Sequence, residues 1–592
     1  MNTTPRVKKR VAYAEANYAA LIRKNGYLVD KTEYIAKLEW VNNPIFLRPR
    51  RFGKSLLRSM LGYYYDLNEA ENSEELFGQT WIGQNPTGQQ NQYMILAFDF
   101  STLDVGTSVD EVENSFKKQC NDLLMGLRTQ YASHLENLPE LDRTGPVADN
   151  LKLIINAIKA NNLPPLYVTI DEYDNFSNQL ITGYMDQLFY ELMADDSSLK
   201  TFFKTLKEGR KTGAIANVFI TGVLPITLDE LASAFNVGAY LTLRPDFDAM
   251  LGFTQTEVAQ LLDEFYLDHE IDPGTRNEVN TVIKEQYNGY HFIAPGGQAL
   301  YNSSILMYFL DEFLAYDGIP EFLTDMNLRT DISWVNRLTG GGPGKGVDNT
   351  TAFVEQLLNE NQISYDRTML TTKFNLRQFF KPSFYPLSFF YLGMLTRRDH
   401  FYMQLPNLNM RQIFAEYFNE LHEIDTATRY GEMMQRFVDA PNLEELFDGY
   451  WQEYVSQLPE AVFSKMNENF YRTTFYQLCS RYLSPWFTWN VERSYPSGKS
   501  DLEFVGKYHE KFANLRWVIE FKYLSNTKFK KLETTIEAFK LDEDDTDQIV
   551  GYATDLLKEY PEAQVEQFVI YCFGNIGYRV FPVPSVFPSS KS

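Results

Sequence analysis

The stretch FLRPRRFGKSLLRSML, starting at Phe46, restricts what this chain can fold into more than any other. An apolar run, NPIFLRP, leads into a turn, RRFG. Lys54 to about Asp66 then carries Leu56, Leu57, Met60 and Leu61 at the spacing of one helix face. Strand, loop and helix in that order are what a phosphate-binding loop of the G-x-x-x-x-G-K-[ST] type needs, because its backbone N–H groups wrap a phosphate at the positive end of the helix. Gly53 lets the backbone approach closely, Lys54 is placed to neutralise β- and γ-phosphates, and the Ser55 hydroxyl can take one Mg2+ position. Arg51, Phe52, Gly53, Lys54 and Ser55 are therefore the predicted nucleotide-contacting loop. Arg48 stands at the first glycine position, so the signature is incomplete, and the loop must curl without a left-handed residue there.

The surroundings extend this reading. Through about residue 250, short apolar runs alternate with amphipathic stretches, the βαβα rhythm of a parallel sheet covered by helices. NPIFLRP, QYMILAFDFS, PLYVTIDE and ANVFITGVL read as buried strands, and Val112, Phe116, Cys120, Leu123 and Leu127 mark a helix that packs Cys120 inside. LYVTIDEYD ends its strand in Asp171 and Glu172. Asp171 is placed to hold a Mg2+ shell, and Glu172 to orient or deprotonate the attacking water. In isolation the pair reads equally well as a solvated turn. Thr221, ending VFITG, can be a small polar sensor of the γ-phosphate or a strand-end hydroxyl bonded to backbone.

Length and composition bound the rest. With 592 residues and 44% apolar composition, two to four domains are expected. A formal charge of -23 excludes a generally basic surface and restricts nucleic-acid contact to local patches. Lys528, Lys530 and Lys531 near the C-terminus, and Arg50 and Arg51 at the loop, are candidates, though each reads as readily as a solvated face. The cysteines Cys120, Cys479 and Cys572 have no paired spacing, so neither a disulfide framework nor a zinc site is expected. There is no signal-peptide pattern and no apolar stretch of about 18 residues. The expectation is a cytoplasmic protein with no membrane partner.

The predicted organisation is an extension over 1–24, a phosphate-loop α/β domain over 25–250, a mainly helical lid or extension over 251–400, a helical connector over 401–460 and a final α/β domain over 461–592. Thr254 is a predicted N-cap with Glu257 as its capping-box partner. TGGGPGKGV, from Thr339, has glycines and Lys345 but neither a strand before it nor Ser or Thr after the lysine, and reads as a loop.

A second constellation lies near the C-terminus, where SYPSGKSDLEFVGKY precedes LRWVIEFKYL. Asp501 is expected on a short strand, with Glu520 and Lys522 two apart on the next and so on one face. Two carboxylates on adjacent strands can share a divalent metal, and a neighbouring lysine can orient water and balance phosphate charge, the set that metal-assisted phosphodiester cleavage requires. Glu-x-Lys alone is also common as an edge-strand charge pair. Glu468, on the predicted helix NENFYRTTFYQLCSRYL, can supply a further carboxylate.

NGYLVDKTEYIAKLE, FLRPRRFGKSLLRSML, VTIDEYDNF, VFITGVLPI, YNGYHF and LYNSS, in this order, closely resemble the AAA-ATPase-like family that carries an RPRRFGKS loop. The resemblance covers about residues 20–310, and it makes arginine at position 48 normal. Residues 461–575 resemble the PD-(D/E)XK nuclease superfamily branch fused behind such domains. That resemblance implies the acidic and basic motif positions for Glu468, Asp501, Glu520 and Lys522 and an ancillary one for Gln548. Lys499 stands where arginine is more usual, Arg472 where histidine is frequent, and an acidic insertion, LDEDDTD, precedes Gln548, where it threatens to repel DNA. The expected function is ATP binding and hydrolysis with Mg2+, coupled to a Mg2+- or Mn2+-dependent nuclease acting on DNA or RNA. The alternative is a nucleotide-switch regulatory or scaffold protein whose nuclease-like domain only binds a partner or DNA.

Overall fold

The computed structural model describes residues 7–584 apart from 136–137, 196, 232–233, 294–296, 326–331, 339–347 and 373. The glycine-rich stretch from Thr339 to Val347 lies outside the described residues.

The N-terminal sheet has five parallel strands, β1 (Pro44–Leu47), β2 (Met94–Asp99), β3 (Leu166–Asp171), β4 (Ile215–Gly222) and β5 (Ala239–Tyr240), in the order β2-β3-β4-β1-β5. Parallel pairing brings all the C-terminal strand ends to one edge: Asp99 lies opposite Asp171, and Leu47 opposite Gly222. Ligands of such sheets collect there. Every residue of β1 and β3 is buried, as continuous apolar runs in a doubly covered sheet require. The covering helices are α1 (Lys54–Tyr65), α2 (Val109–Gln130), α3 (Val147–Asn161) and α4 (Ser198–Thr212). On α2, Cys120 is buried as expected, but Leu124 and not Leu123 completes the inner face.

The middle region is mainly helical. Its first helices are α5 (Gln255–His269), α6 (Arg276–Tyr287) and α7 (Ser303–Tyr316), followed by α8 (Leu408–Leu421). Thr254 and Glu257 form the predicted capping box, and Glu257 also receives the buried Lys31 ammonium at 2.6 Å. Among the described residues no helix is long and apolar enough to cross a membrane.

The C-terminal sheet contains β6 (Phe487–Val491), β7 (Leu502–Gly506), β8 (Leu515–Leu524), β9 (Gln564–Phe573) and β10 (Gly577–Val583), in chain order across the sheet. Only β8 and β9 run parallel; α9 (Glu468–Leu483) packs across β8, and α10 (Glu543–Glu559) forms the β8–β9 crossover. Asp501 is not on a strand, as the sequence suggested, but on the bend one residue before β7, because the tight hairpin at 494–499 must first return the chain.

Candidate functional site

At the first site, Gly53 is left-handed (φ +93°) and caps α1 without a side chain. Arg51, at φ +70°, is the loop's other left-handed residue, and Arg48 is not left-handed, as the sequence required. Lys54 is buried, and its ammonium donates to the carbonyls of Arg48 and Pro49 at 3.1 and 3.0 Å, across the concavity of the loop.

Asp171 is fully buried. Its Oδ1 accepts the Glu172 N–H at 2.9 Å, and its Oδ2 has no hydrogen-bond partner. Burial pushes the Asp171 carboxyl up, opposed by the Ser55 hydroxyl and by the charges of Arg58 and Lys54. A buried carboxylate oxygen with no hydrogen bond, only the Arg58 guanidinium at 3.7 Å, beside a loop serine is a donor set that fits Mg2+, which leaves its remaining positions to water and nucleotide oxygens. Among the described residues no group of three or more His, Cys, Asp or Glu could hold a metal by itself. Glu172 is held left-handed at φ +50°; burial raises its carboxyl, with Lys54 opposing.

Three loop and sensor expectations are corrected. The Arg51 guanidinium is paired with the buried Asp325 instead of facing the loop's concavity. The Phe52 ring is buried against Tyr290 and Phe292, 5.1 and 5.5 Å between centroids, so only its backbone is open to a phosphate. The Thr221 hydroxyl donates to the Phe46 carbonyl at 2.9 Å and is buried between β4 and β1, the strand-end alternative.

Sequence reasoning missed Arg58, Asp99 and Asp174. Arg58, one turn beyond Ser55, lies 3.7 Å from Asp171 and 3.6 Å from Asp99, a resident cation between two strand-end carboxylates. The signal was present: the Ser55-to-Arg58 spacing puts both on one helix face. Asp174 is buried and accepts the backbone N–H groups of Val223 and Leu224, tying the turn after β3 to that after β4. Gly222 is required there, since a Cβ would lie 2.3 Å from the Asp174 carboxylate.

At the second site, Asp501, Glu520 and Lys522 come together as predicted from spacing. Asp501 Oδ2 accepts the Phe521 N–H at 2.8 Å, and its Oδ1 accepts from Arg472 at 2.7 Å. The Lys522 ammonium is 3.2 Å from Glu520 and 3.0 Å from Asp545, and donates to Gln548 Oε1 at 3.1 Å. Gln548 returns its amide N–H to Glu520 Oε1 at 2.9 Å, which leaves Glu520 Oε2 buried and unpartnered. Burial and the charge of Asp501 push Glu520 up to about 8 against the pull of Lys522. On Lys522, burial disfavours the ammonium, but Asp545 and Glu520 outweigh it and raise its affinity for the proton. Glu468 sits at the exposed N-terminus of α9; partial burial and Asp501 raise it, while Lys522 and Arg472 lower it.

Negative charge in excess of its counterions, with one carboxylate oxygen orphaned, fits a divalent cation held by Asp501 and Glu520. LDEDDTD is not an intruding loop. Asp542 N-caps α10, the following acids lie in its first turn, where the helix dipole favours them, and Asp545 turns inward to Lys522. Asp545 is a site residue that the acidic run disguised.

A nucleotide-type strand edge and a carboxylate–lysine sheet site on one chain define a class: a phosphate-loop domain joined to a nuclease-type domain. Residues 12–232 match the family described as a predicted AAA-ATPase, AAA-ATPase-like, and residues 466–581 match the PD-(D/E)XK nuclease superfamily. The chain therefore carries an AAA-ATPase-like domain followed by a PD-(D/E)XK nuclease superfamily domain. No curated protein matches it.

Proposed function

We propose that this chain is an ATP-binding, ATP-hydrolysing protein whose nucleotide state governs a metal-dependent nuclease. The observation that carries the reading is the second site: Glu520, Lys522 and Gln548 lock one another in place beside Asp501, and one Glu520 oxygen is left buried and unbonded. A divalent cation there, Mg2+ or Mn2+, would lower the pKa of a water and stabilise charge on the phosphate. Asp501 and Glu520 hold it, with Glu468 at the rim. Lys522, fixed by Gln548, orients the nucleophile and offsets charge on the phosphodiester. Asp545 keeps Lys522 protonated.

At the loop, Lys54 exchanges the carbonyls of Arg48 and Pro49 for phosphate oxygens, Ser55 and Asp171 hold Mg2+, and Glu172 acts on water. An apolar recess beside Gly53, walled by Leu28, Val29, Met250, Leu251 and Phe253, suits an adenine base. Lys528, Lys530 and Lys531 are exposed just beyond β8, where they supply a local patch for DNA or RNA backbone.

The test is cleavage of single- and double-stranded DNA and RNA with Mg2+ or Mn2+, with and without ATP, by wild type and Asp501→Asn. Cleavage unchanged in Asp501→Asn assigns the activity elsewhere. One observation favours the regulator reading, the Arg472 guanidinium seated on Asp501. Wild-type inactivity on every substrate, combined with nucleotide-dependent binding of nucleic acid, would select it.

A further inference from the structure

We propose that Arg472 competes with the divalent cation for Asp501, and that the first turn of α8 carries the state of the nucleotide loop to it. The inference rests on the ATP-governed nuclease reading. Arg472 is buried on α9, and its two terminal nitrogens lie 2.7 Å from Asp501 and 3.2 Å from Glu492, so two carboxylates compete for one guanidinium. Its buried Nε has no hydrogen-bond partner, so the guanidinium is held through its terminal nitrogens alone. Glu492 is itself left-handed (φ +59°), and its N–H donates to the Asp501 carbonyl at 3.0 Å. Its other oxygen receives Arg411 of α8 at 3.0 Å.

The first turn of α8, which carries Arg411, is built onto the segment that packs on the nucleotide loop. Asn407, its N-cap, donates to the Asn288 carbonyl at 2.9 Å. Gly289 packs so closely on Pro406 that a Cβ would lie 2.0 Å from its carbonyl oxygen, and the next residue, Tyr290, packs with Phe292 on the Phe52 ring. Contacts thus run without a gap from Phe52 through α8 to Arg411, Glu492, Arg472 and Asp501. When a nucleotide reshapes the loop, α8 moves Arg411 relative to Glu492. Glu492 then takes more or less of Arg472, and the Asp501 oxygen is freed or covered. The element given two arrangements in this proposal is the shared guanidinium, the kind of element that a physical coupling claim requires.

Mn2+ binding to the full chain, followed by electron paramagnetic resonance with and without a non-hydrolysable ATP analogue, tests this, with Asp501→Asn giving the Mn2+ held at the loop. The analogue should change the Asp501-dependent affinity by about 5- to 150-fold. Arg411→Gln should abolish that change while leaving analogue affinity by calorimetry intact. Arg472→Gln should raise Mn2+ affinity about tenfold, because a competing cation is gone, and Arg472→Lys should reverse this. A purely structural arginine would instead lower it. Mn2+ affinity indifferent to a bound analogue in wild type overturns the coupling alone. Failure of wild type to bind Mn2+ or the analogue overturns it together with the functional reading.

Discussion

Replacing Glu520 by Gln should stabilise the metal-free protein, and increasingly so as pH rises. The substitution keeps the shape and the oxygen that accepts from Gln548, and removes only the charge. In the folded chain, burial and Asp501 push Glu520 from its ordinary 4.5 up to about 8. The folded state thus binds a proton that the unfolded state has released. Stability from this group is fully present below about pH 4.5 and is lost as pH rises toward 8. At about 1.4 kcal/mol per tenfold in proton affinity, the loss by pH 8 is on the order of 4 kcal/mol. Scanning calorimetry in chelator at pH 5 and pH 8.5 should show nearly equal melting of wild type and Glu520→Gln at the lower pH and a mutant several degrees more stable at the higher. Mn2+ should narrow the gap, because only wild type keeps the Glu520 carboxylate as a ligand. A gap that does not widen with pH would refute the charge-crowding argument.

Lys54→Ala should weaken ATP binding by about 2–3 kcal/mol by calorimetry, the worth of a charge-assisted phosphate contact, with the fold retained. Glu172→Gln should bind ATP as wild type does and hydrolyse it at least about a hundredfold more slowly, read by phosphate release. Arg48→Met should cost on the order of 3–5 kcal/mol in thermal or urea unfolding, because it leaves Asp248 buried without its partner. Asp325→Asn should tighten ATP binding by calorimetry, since Arg51 is then released toward phosphate; weaker binding would show the Arg51–Asp325 pair to be scaffolding.

Both sites were legible because their signals are local in sequence. Gly53-Lys54-Ser55 is fixed by a strand–loop–helix order, and Glu520 and Lys522 share a face because strand side chains alternate. What stayed hidden depended on pairing between distant segments. Nothing near Arg51 or Phe52 announces that Asp325 takes the one and Tyr290 and Phe292 cover the other; apart from that tertiary contact both look like phosphate-loop residues. Asp545 was hidden for the opposite reason: four acids in a row read as an insertion that would repel DNA, and only the start of α10 turns one of them inward. Thr221 shows the limit of a strand-end motif, because a hydroxyl at a parallel strand end can turn to the ligand or to the neighbouring carbonyl, and β1 lies within reach.

Arg48 explains why this loop does without its first glycine. Its guanidinium stacks between Phe46 and Phe292, 4.4 and 4.0 Å from the ring centroids, and donates to the Thr242 and Asp248 carbonyls at 2.8 and 3.1 Å. The chain is thereby anchored outward at the point where a glycine would have let it fold freely. The next carbonyls are held in the same sense: Asn302 donates to that of Arg50, Ser304 N–H to that of Arg51, and Gly252 N–H to that of Phe52. Three successive loop carbonyls are thus bonded by segments beyond the parallel sheet, and the loop's resting shape belongs as much to residues 252–304 as to the strand before it. A nucleotide that draws Lys54 off the carbonyls of Arg48 and Pro49 must redistribute those bonds. LYNSS, which supplies two of the three, and YNGYHF, whose Phe292 stacks on Arg48, are therefore the segments through which we expect occupancy of the loop to be felt first.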